Sequence, residues 1–230
     1  SWRRWLETSC WDVSVDLFTS LLTSQAFGKK EFWQTRYTTA NTEKEDWKPY
    51  DWYLNWSDIS EKVLEKTGLD QRKEIVALDV GCGDSLFFDE FIGDPKLNVK
   101  HVTCIDYIDA VIFKMKDVAD ENNIPNCTHV VMDAVDMKLP ANHFDMVFDK
   151  GTLDGILYTD TAKADVAKVL DNVCSVLKPG GFYVVVSCTL SVERLVLFQN
   201  QPWKTLLLAE YPAREDKKTK LYMIVIKKNE

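Results

Sequence analysis

A chain of 230 residues with 46% hydrophobic and 28% charged residues has the composition of a globular protein with one main core. Its formal net charge of −8 argues against general nucleic-acid binding, which depends on a basic surface, and agrees with a basic protein or a cationic molecule as partner. No apolar run approaches the ~20 residues that cross a bilayer, and the first residues do not resemble a secretory signal. We therefore expect a cytoplasmic protein that binds neither membranes nor nucleic acid.

The cysteines and histidines show no pattern typical of a metal site. The six cysteines form no C-x-x-C pair, which predicts reduced and mostly buried thiols rather than disulfides or metal ligands. The three histidines, His101, His129 and His143, lack the spacing of metal ligands. We expect no metal.

The N-terminal third differs in composition from the rest of the chain. Residues 1–73 hold seven of the eight tryptophans, and their hydrophobic periodicity is weak. We interpret this segment as an extension and aromatic-rich cap that packs on the following domain, not as an independent domain. Residues 74–230 are predicted to form that domain.

From residue 74 onward, short β-rich runs alternate with stretches of helical periodicity. Strands are predicted at residues 74–79, 100–106, 128–133, 144–148 and 182–186. Three helices are predicted. The first covers residues 85–92, and the second starts at about Asp109, which could cap it. The third covers residues 162–177 and is followed by the helix-ending sequence KPGG. Strands that are apolar throughout and alternate with helices predict a parallel sheet covered on both faces.

The C-terminal part has a different pattern. Residues 204–210 and 221–227 each predict a strand, and the polar connection between them is too short for a helical crossover. The two strands should therefore pair antiparallel as a hairpin. Five parallel strands and this hairpin give an α/β fold with a Rossmann-like sheet of seven strands.

A glycine-rich turn containing Gly81 and Gly83 follows the first strand. Ligands of open α/β sheets bind beyond the carboxyl ends of the strands, and glycines allow the backbone to approach them closely. A dinucleotide-binding fingerprint requires Gly or Ala where Leu86 stands, and the Gly-Lys-Ser/Thr of a P-loop is absent. Asp79 would repel a pyrophosphate at this turn and would attract a cationic amino group.

Two more acidic residues end the next predicted strands. Asp106 could accept hydrogen bonds from both hydroxyls of a ribose, and Asp133 could accept one from an adenine amino group. Their chain neighbours Tyr107 and Ala134 are included in the predicted site. A ribose, an adenine and a cationic methionine group together describe S-adenosylmethionine, which is the predicted cofactor.

These motifs resemble a known family. Residues 74–83 resemble the first motif of seven-β-strand (class I) S-adenosylmethionine-dependent methyltransferases, and LKPGG at 177–181 resembles the turn before their fifth strand. FDKGTLD at 148–154 is similar to the E-K-G-T-L-D block of protein-lysine methyltransferases that modify translation elongation factor 1-alpha. FWQTRY at 32–37 and PYDW at 49–52 are similar to that subfamily's Y-W-x-x-R-Y and P-Y-D-W.

The resemblance covers about residues 31–181 and has departures. Asp149 stands where the family has Glu, and residues 42–48 lengthen the loop between the two aromatic motifs. The stretch after Thr189, where substrate loops often lie, does not align with the family. The first 30 residues have no counterpart in it.

The resemblance implies roles for several residues. Trp33, Tyr37 and Trp52 are expected to close over the cofactor, since aromatic faces attract a sulfonium cation by about 0.5–2 kcal/mol. The alternative is that these rings only pack the cap on the sheet. Lys150 would contact the cofactor through its backbone, while its side chain could be an ordinary solvated lysine.

The favoured function is a protein-lysine N-methyltransferase that acts on a translation elongation factor or a similar protein. Asp149 and Asp154 are candidates for positioning the substrate, and no catalytic base is assigned. A small-molecule methyltransferase would use the same sheet. A non-catalytic methyltransferase-like subunit would use the first 30 residues as a docking surface, although the intact cofactor motif argues against it.

Overall fold

The protein is described by a computed structural model that covers residues 24–42, 49–190, 192–213 and 220–230. Most of the predicted N-terminal docking surface (residues 1–30), most of the longer loop at 42–48 and the tip of the C-terminal hairpin lie outside these residues. The helices are α1 Lys30–Thr42, α2 Trp56–Thr67, α3 Phe87–Gly93, α4 Asp109–Glu121, α5 Thr152–Ile156, α6 Ala162–Val176 and α7 Val192–Phe198. The strands are β1 Ile75–Val80, β2 Val99–Asp106, β3 Cys127–Val131, β4 Phe144–Lys150, β5 Leu177–Ser187, β6 Trp203–Pro212 and β7 Lys220–Lys228.

The strands form one seven-stranded sheet in the order β3-β2-β1-β4-β5-β7-β6. The first five strands are parallel, and β7 lies antiparallel between β5 and β6. This arrangement confirms the predicted Rossmann-like sheet and its terminal hairpin. The strand order reverses at β1, which lies between β2 and β4, so the carboxyl end of β1 is the point at which such sheets bind ligands.

The sheet is covered on both faces because its central strands are apolar on both sides. Ala77 and Leu78 are adjacent in β1 and fully buried, and they belong to two different hydrophobic cores. The second core receives α6, whose Val166, Val169 and Val173 recur at helical spacing and are buried. Each such side chain contributes about 1.5–3 kcal/mol through its burial.

The described part of the cap shares the first core with the sheet. Trp56 at the start of α2 packs edge-to-face on Phe91 and Phe148, with ring centroids 4.9 and 5.9 Å apart. Its indole nitrogen donates a hydrogen bond to Asp94 at 2.8 Å. The domain boundary at residue 73 stays a prediction.

Several predicted element boundaries differ from the structure. Asp109 is the first residue of α4, and Ile108 occupies the N-cap position, so the prediction that Asp109 caps this helix was wrong. Strand β3 ends at Val131 because the Asp133 carboxylate accepts a hydrogen bond from the Val135 backbone at 2.8 Å and starts a short 3-10 helix, Ala134–Asp136.

The segment from β5 to β6 also differs from its prediction. Strand β5 begins at Leu177, directly after α6, and includes the KPGG sequence that was predicted to precede it. Helix α7, Val192–Phe198, was not predicted. Among the described residues, no helix combines the length and apolarity needed to cross a membrane.

A buried carboxylate ties the amino edge of the sheet together, at the end opposite the glycine-rich turn. Asp145, the second residue of β4, accepts hydrogen bonds from Arg72 at 2.6 Å, from Lys178 at 2.8 Å and from the Val76 backbone at 3.0 Å. Arg72 also donates to the Gly180 carbonyl at 3.1 Å. The cluster thus joins β1, β4 and β5 to the segment that precedes the sheet.

Candidate active site

A pocket of about 800 Å³ opens at the carboxyl ends of the parallel strands. Its lining comes from the β1–α3 turn, the ends of β2 and β3, the segment after β4, the end of β5, strand β7 and the cap. The pocket therefore lies at the reversal of strand order, where the fold predicts a ligand.

The glycine-rich turn forms the floor of this pocket. Gly81 and Gly83 both adopt left-handed backbone conformations, with φ of 64° and 55°. A β-carbon at Gly81 would lie 2.0 Å from the hydroxyl oxygen of Thr152, and one at Gly83 would lie 2.7 Å from that of Tyr37. Both positions thus need glycine for conformation and for space.

We expect Gly81→Ala to lower the free energy of unfolding by about 2–3 kcal/mol, because a left-handed alanine costs about 1 kcal/mol and Thr152 must also move. Thr152 donates its hydroxyl to the Val80 carbonyl at 2.7 Å, and this bond would be strained. Urea unfolding measures the change. Gly93→Ala is the matched control, since no atom lies within 4 Å of its β-carbon. Equal stability of the two variants would contradict this account.

Asp79 is the most deeply buried carboxylate of the predicted cofactor site, with 3% of its surface exposed. Its Oδ2 atom is buried and has no hydrogen-bond partner among the described residues. Burial raises the pKa of Asp79 to about 7, and the nearby Lys150 ammonium opposes that shift. An unpartnered carboxylate oxygen at the pocket lining needs a donor, and a cationic amino group supplies one.

Asp106 lies at the end of the neighbouring strand β2. Its two oxygens accept hydrogen bonds from the backbone of Gly83 at 3.1 Å and of Ile108 at 2.9 Å. Burial raises its pKa to about 6, and the two backbone hydrogen bonds oppose the shift. These bonds fix the carboxylate beside the glycine-rich turn, and Tyr107 lines the pocket next to it.

The third predicted acid is placed differently. Asp133 lies two residues beyond β3 and is exposed, whereas the adjacent Ala134 is buried; both line the pocket. Asn172 of α6 donates to the carbonyls of Ala134 at 2.9 Å and of Val135 at 3.1 Å. This amide fixes the 3-10 helix against the sheet, and sequence reasoning did not identify it.

The predicted aromatic residues form one wall of the pocket. The rings of Trp33 and Tyr37 stack with centroids 6.0 Å apart, and Trp52 meets Trp33 edge-to-face at 6.4 Å. Trp33 donates its indole N–H to the Phe27 carbonyl at 2.8 Å. All three aromatic rings line the pocket and also pack on one another. Their position is therefore compatible both with contact to a cofactor and with packing of the cap on the sheet.

Lys150 has a buried side chain, which corrects the alternative of a solvated lysine. Its ammonium lies 2.8 Å from the Asp51 carboxylate of the cap and 2.8 Å from the Ser85 hydroxyl. Ser85 in turn donates to Asp51. Asp51 lies within the PYDW motif, but nothing in the sequence indicated its pairing with a lysine 99 positions later.

The two candidates for substrate positioning have separate environments. Asp149 is directed into the fold: it accepts hydrogen bonds from the Thr152 backbone at 3.0 Å and from the Tyr183 hydroxyl at 3.0 Å. It is not among the residues that line the pocket, in contrast to its predicted role. Asp154 does line the pocket, at the far side of β4 from Asp79.

The part of the pocket beyond β4 contains residues that the sequence did not identify. We call it the distal half, and it is lined by Tyr53, Cys188 and Tyr222 together with the predicted Asp154, among others. Tyr53 directly follows the PYDW motif, which could have drawn attention to it. Cys188 and Tyr222 lie near or beyond the end of the segment that resembles a known family, so no motif marked them.

The described residues contain no group of three or more histidine, cysteine or acidic side chains that could hold a metal ion.

A seven-stranded sheet of this order, with acidic residues around a pocket at the end of β1, defines the fold of a class I methyltransferase. A family model described as a methyltransferase domain matches residues 71–228, and the chain belongs to that family. By fold and family, the chain thus falls in the class of S-adenosylmethionine-dependent methyltransferases.

Relatives and a solved structure are similar to this chain. A Homo sapiens protein named eEF1A lysine and N-terminal methyltransferase is 28% identical over 166 residues, which are 71% of this chain and 22% of that protein. A Bos taurus protein named EEF1A lysine methyltransferase 4 is 31% identical, over 67% of this chain and 58% of the relative. The chain thus spans about a fifth of the first relative and somewhat more than half of the second.

The structure of N-methyltransferase NodS from Bradyrhizobium japonicum WM9, in complex with S-adenosyl-L-homocysteine, has a TM-score of 0.63 to this chain. The two are 14% identical, and the likeness covers 84% of this chain and 98% of that chain. At this identity the likeness concerns the fold.

Proposed function

We propose that this protein is a protein-lysine N-methyltransferase whose acceptor is elongation factor 1-alpha or a similar protein. The observation that carries the proposal is the distal half of the pocket, where the ring of Tyr53 lies beside a buried carboxylate, Asp154. Such a lining suits an alkyl chain that ends in an ammonium. The names of the two relatives and the FDKGTLD block support the same acceptor.

We further propose which residues hold S-adenosylmethionine. The unpartnered oxygen of Asp79 would accept a hydrogen bond from the methionine amino group. Asp106 would accept hydrogen bonds from the ribose hydroxyls, and Asp133 would accept one from the adenine amino group. The remaining proposed contacts are the backbone of Gly81, Gly83, Ala134 and Lys150 and the rings of Trp33, Tyr37, Trp52 and Tyr107. This assignment agrees with the chemistry of the lining, since each group finds a partner of opposite polarity.

The transfer itself is a displacement at carbon. S-adenosylmethionine supplies a methyl group on a positively charged sulfur. The lone pair of the acceptor nitrogen forms the new N–C bond while the S–C bond breaks and its electron pair stays on sulfur. A lysine ammonium must first release a proton to water, which costs about 4–5 kcal/mol at pH 7 for an unperturbed pKa near 10.4.

The residues of this chain act mainly by positioning. Tyrosine rings at the distal half restrict the acceptor side chain to one direction, and orientation of this kind supplies a large part of a methyl-transfer rate enhancement. Removal of water by the cap disfavours the ammonium form and thereby offsets part of the deprotonation cost. No side chain needs to form a covalent intermediate.

The test is to incubate the protein with S-adenosylmethionine labelled in its methyl group and a cell lysate, and then with purified elongation factor 1-alpha. We expect label in the elongation factor and methyl-lysine after its hydrolysis. Asp79→Asn serves as the control with weakened cofactor binding, and its labelling should be lower at limiting cofactor concentration. Label confined to small molecules would favour the small-molecule alternative, and no label at all would favour a non-catalytic subunit. The cytoplasmic location stays a prediction.

A further inference from the structure

The side chains at the carboxyl edge of the sheet divide the pocket into two parts. Asp133, Asp106 and Asp79 follow β3, β2 and β1, which is one side of the sheet. Asp154 follows β4 and Cys188 follows β5, on the other side. A cofactor that contacts the first three acids leaves the distal half of the pocket for the acceptor.

Asp154 is rigidly placed in that distal half. Its two oxygens accept hydrogen bonds from the Ser187 hydroxyl at 2.6 Å and from the Cys188 backbone at 3.0 Å. The residue is 7% exposed, so its charge is little screened by solvent. A carboxylate accepts up to about four hydrogen bonds and attracts a cation through its charge, so an ammonium group can bind it in addition to its donors within the fold.

Tyr53 stands beside Asp154 in a costly backbone conformation, with φ of 65°. Its hydroxyl donates to the Cys188 sulfur at 3.2 Å, and a β-carbon at Gly151 would lie 3.0 Å from its ring. Burial, followed by the charge of Asp154, holds the pKa of Tyr53 well above its usual value. The phenol therefore stays protonated, and its ring forms an apolar wall next to the carboxylate.

We propose that Asp154 and Tyr53 form the subsite that receives the side-chain ammonium of the acceptor, an inference that rests on the proposed function. The carboxylate binds the ammonium group, and the tyrosine ring contacts the alkyl chain behind it. This subsite makes the enzyme specific for alkylammonium acceptors over neutral acceptors of the same length.

An Asp154→Asn variant removes the charge and keeps the local hydrogen bonds. The amide oxygen can accept from the Cys188 backbone, and the amide nitrogen can donate to the Ser187 hydroxyl. The single hydroxyl proton of Ser187 then turns to the Thr189 carbonyl, whose oxygen lies 2.8 Å away. Ser187→Ala is the converse control, because it removes the hydrogen bond and keeps the charge. Asp165→Asn removes a carboxylate at the pocket lining that is bonded to Thr161.

The experiment uses the whole chain saturated with S-adenosylhomocysteine, whose binding also verifies that each variant is folded. n-Butylammonium chloride and the neutral isostere 1-butanol are titrated at constant ionic strength, with tyrosine and tryptophan fluorescence as the readout. We expect wild type, Ser187→Ala and Asp165→Asn to bind the ammonium at least tenfold more tightly than the alcohol. In Asp154→Asn the preference should disappear.

A wild-type protein without preference for the ammonium, or an Asp154→Asn variant that keeps the preference, would overturn the subsite. The same titration separates the subsite from the proposed function. Lysine labelling in the lysate without an ammonium preference would leave the function and remove the subsite. An Asp154-dependent preference, with label only in small molecules, would leave an ammonium subsite in an enzyme of another substrate class.

Discussion

An Asp79→Asn variant should bind S-adenosylmethionine about 10–100-fold more weakly than the wild type, because a hydrogen bond to a charged group contributes about 1.5–3 kcal/mol. Asp79 Oδ2 is buried and has no hydrogen-bond partner in the described part of the chain, so the ligand supplies the donor that it lacks. Calorimetric titration measures the difference. Asp70→Asn is the control, since Asp70 is exposed in the 3-10 helix before β1. An unchanged affinity would assign the amino group to another partner.

The same carboxylate should make cofactor binding depend on pH. In the free protein the pKa of Asp79 is about 7, so the carboxyl is protonated and uncharged below that pH. A bound cation favours the charged form and lowers this pKa, and binding then releases a proton. Affinity should therefore decrease as the pH falls from 7 to 5. The decrease from 7 to 6 should be smaller in Asp79→Asn, and an equal decrease would contradict this assignment.

We expect Asp145→Ala to destabilise the protein by about 3 kcal/mol and to lower its melting temperature by about 10 °C. The change leaves two cations, Arg72 and Lys178, without their shared carboxylate, and it leaves the Val76 N–H without an acceptor. Because the two cations are partly exposed, the expected loss of stability lies at the lower end of the range measured when one partner of a buried ion pair is removed. Differential scanning calorimetry measures it.

The matched control is Asp136→Ala. Asp136 is exposed and pairs with Lys138, which is exposed as well, so its removal should change stability by less than about 0.5 kcal/mol. If Asp145→Ala were as mild as this control, the ion cluster at the amino edge would not hold β1, β4 and β5 together.

The sheet and the acidic residues at its carboxyl edge could be predicted from the sequence, because both depend on local patterns. Apolar runs that end in an acid identify a strand and its carboxyl end together, which is why Asp79 and Asp106 were placed correctly. The predicted end of the third strand, at Asp133, lies two residues beyond the end of β3 at Val131. The sequence does not reveal that the Asp133 side chain accepts a hydrogen bond from the Val135 backbone and that the strand ends before it.

Other features depend on contacts that no local pattern contains. Asp149 and Asp154 lie in one motif, yet one enters the fold and the other the pocket, because helix α5 begins between them and sets their directions. The burial of Lys150 required a partner from the cap, Asp51. Helix α7 spans two turns only, and a run that short does not distinguish a helix from a strand.

The FDKGTLD segment contacts a different neighbour at almost every position. Asp149 anchors the following helix, Lys150 holds the cap, Gly151 accommodates the ring of Tyr53, and Thr152 fills the space above Gly81. Few substitutions should therefore be tolerated in this segment, since a change that suits one neighbouring residue would disturb the contact with another. The segment should be among the last parts of this protein to vary, whichever acceptor its descendants come to use.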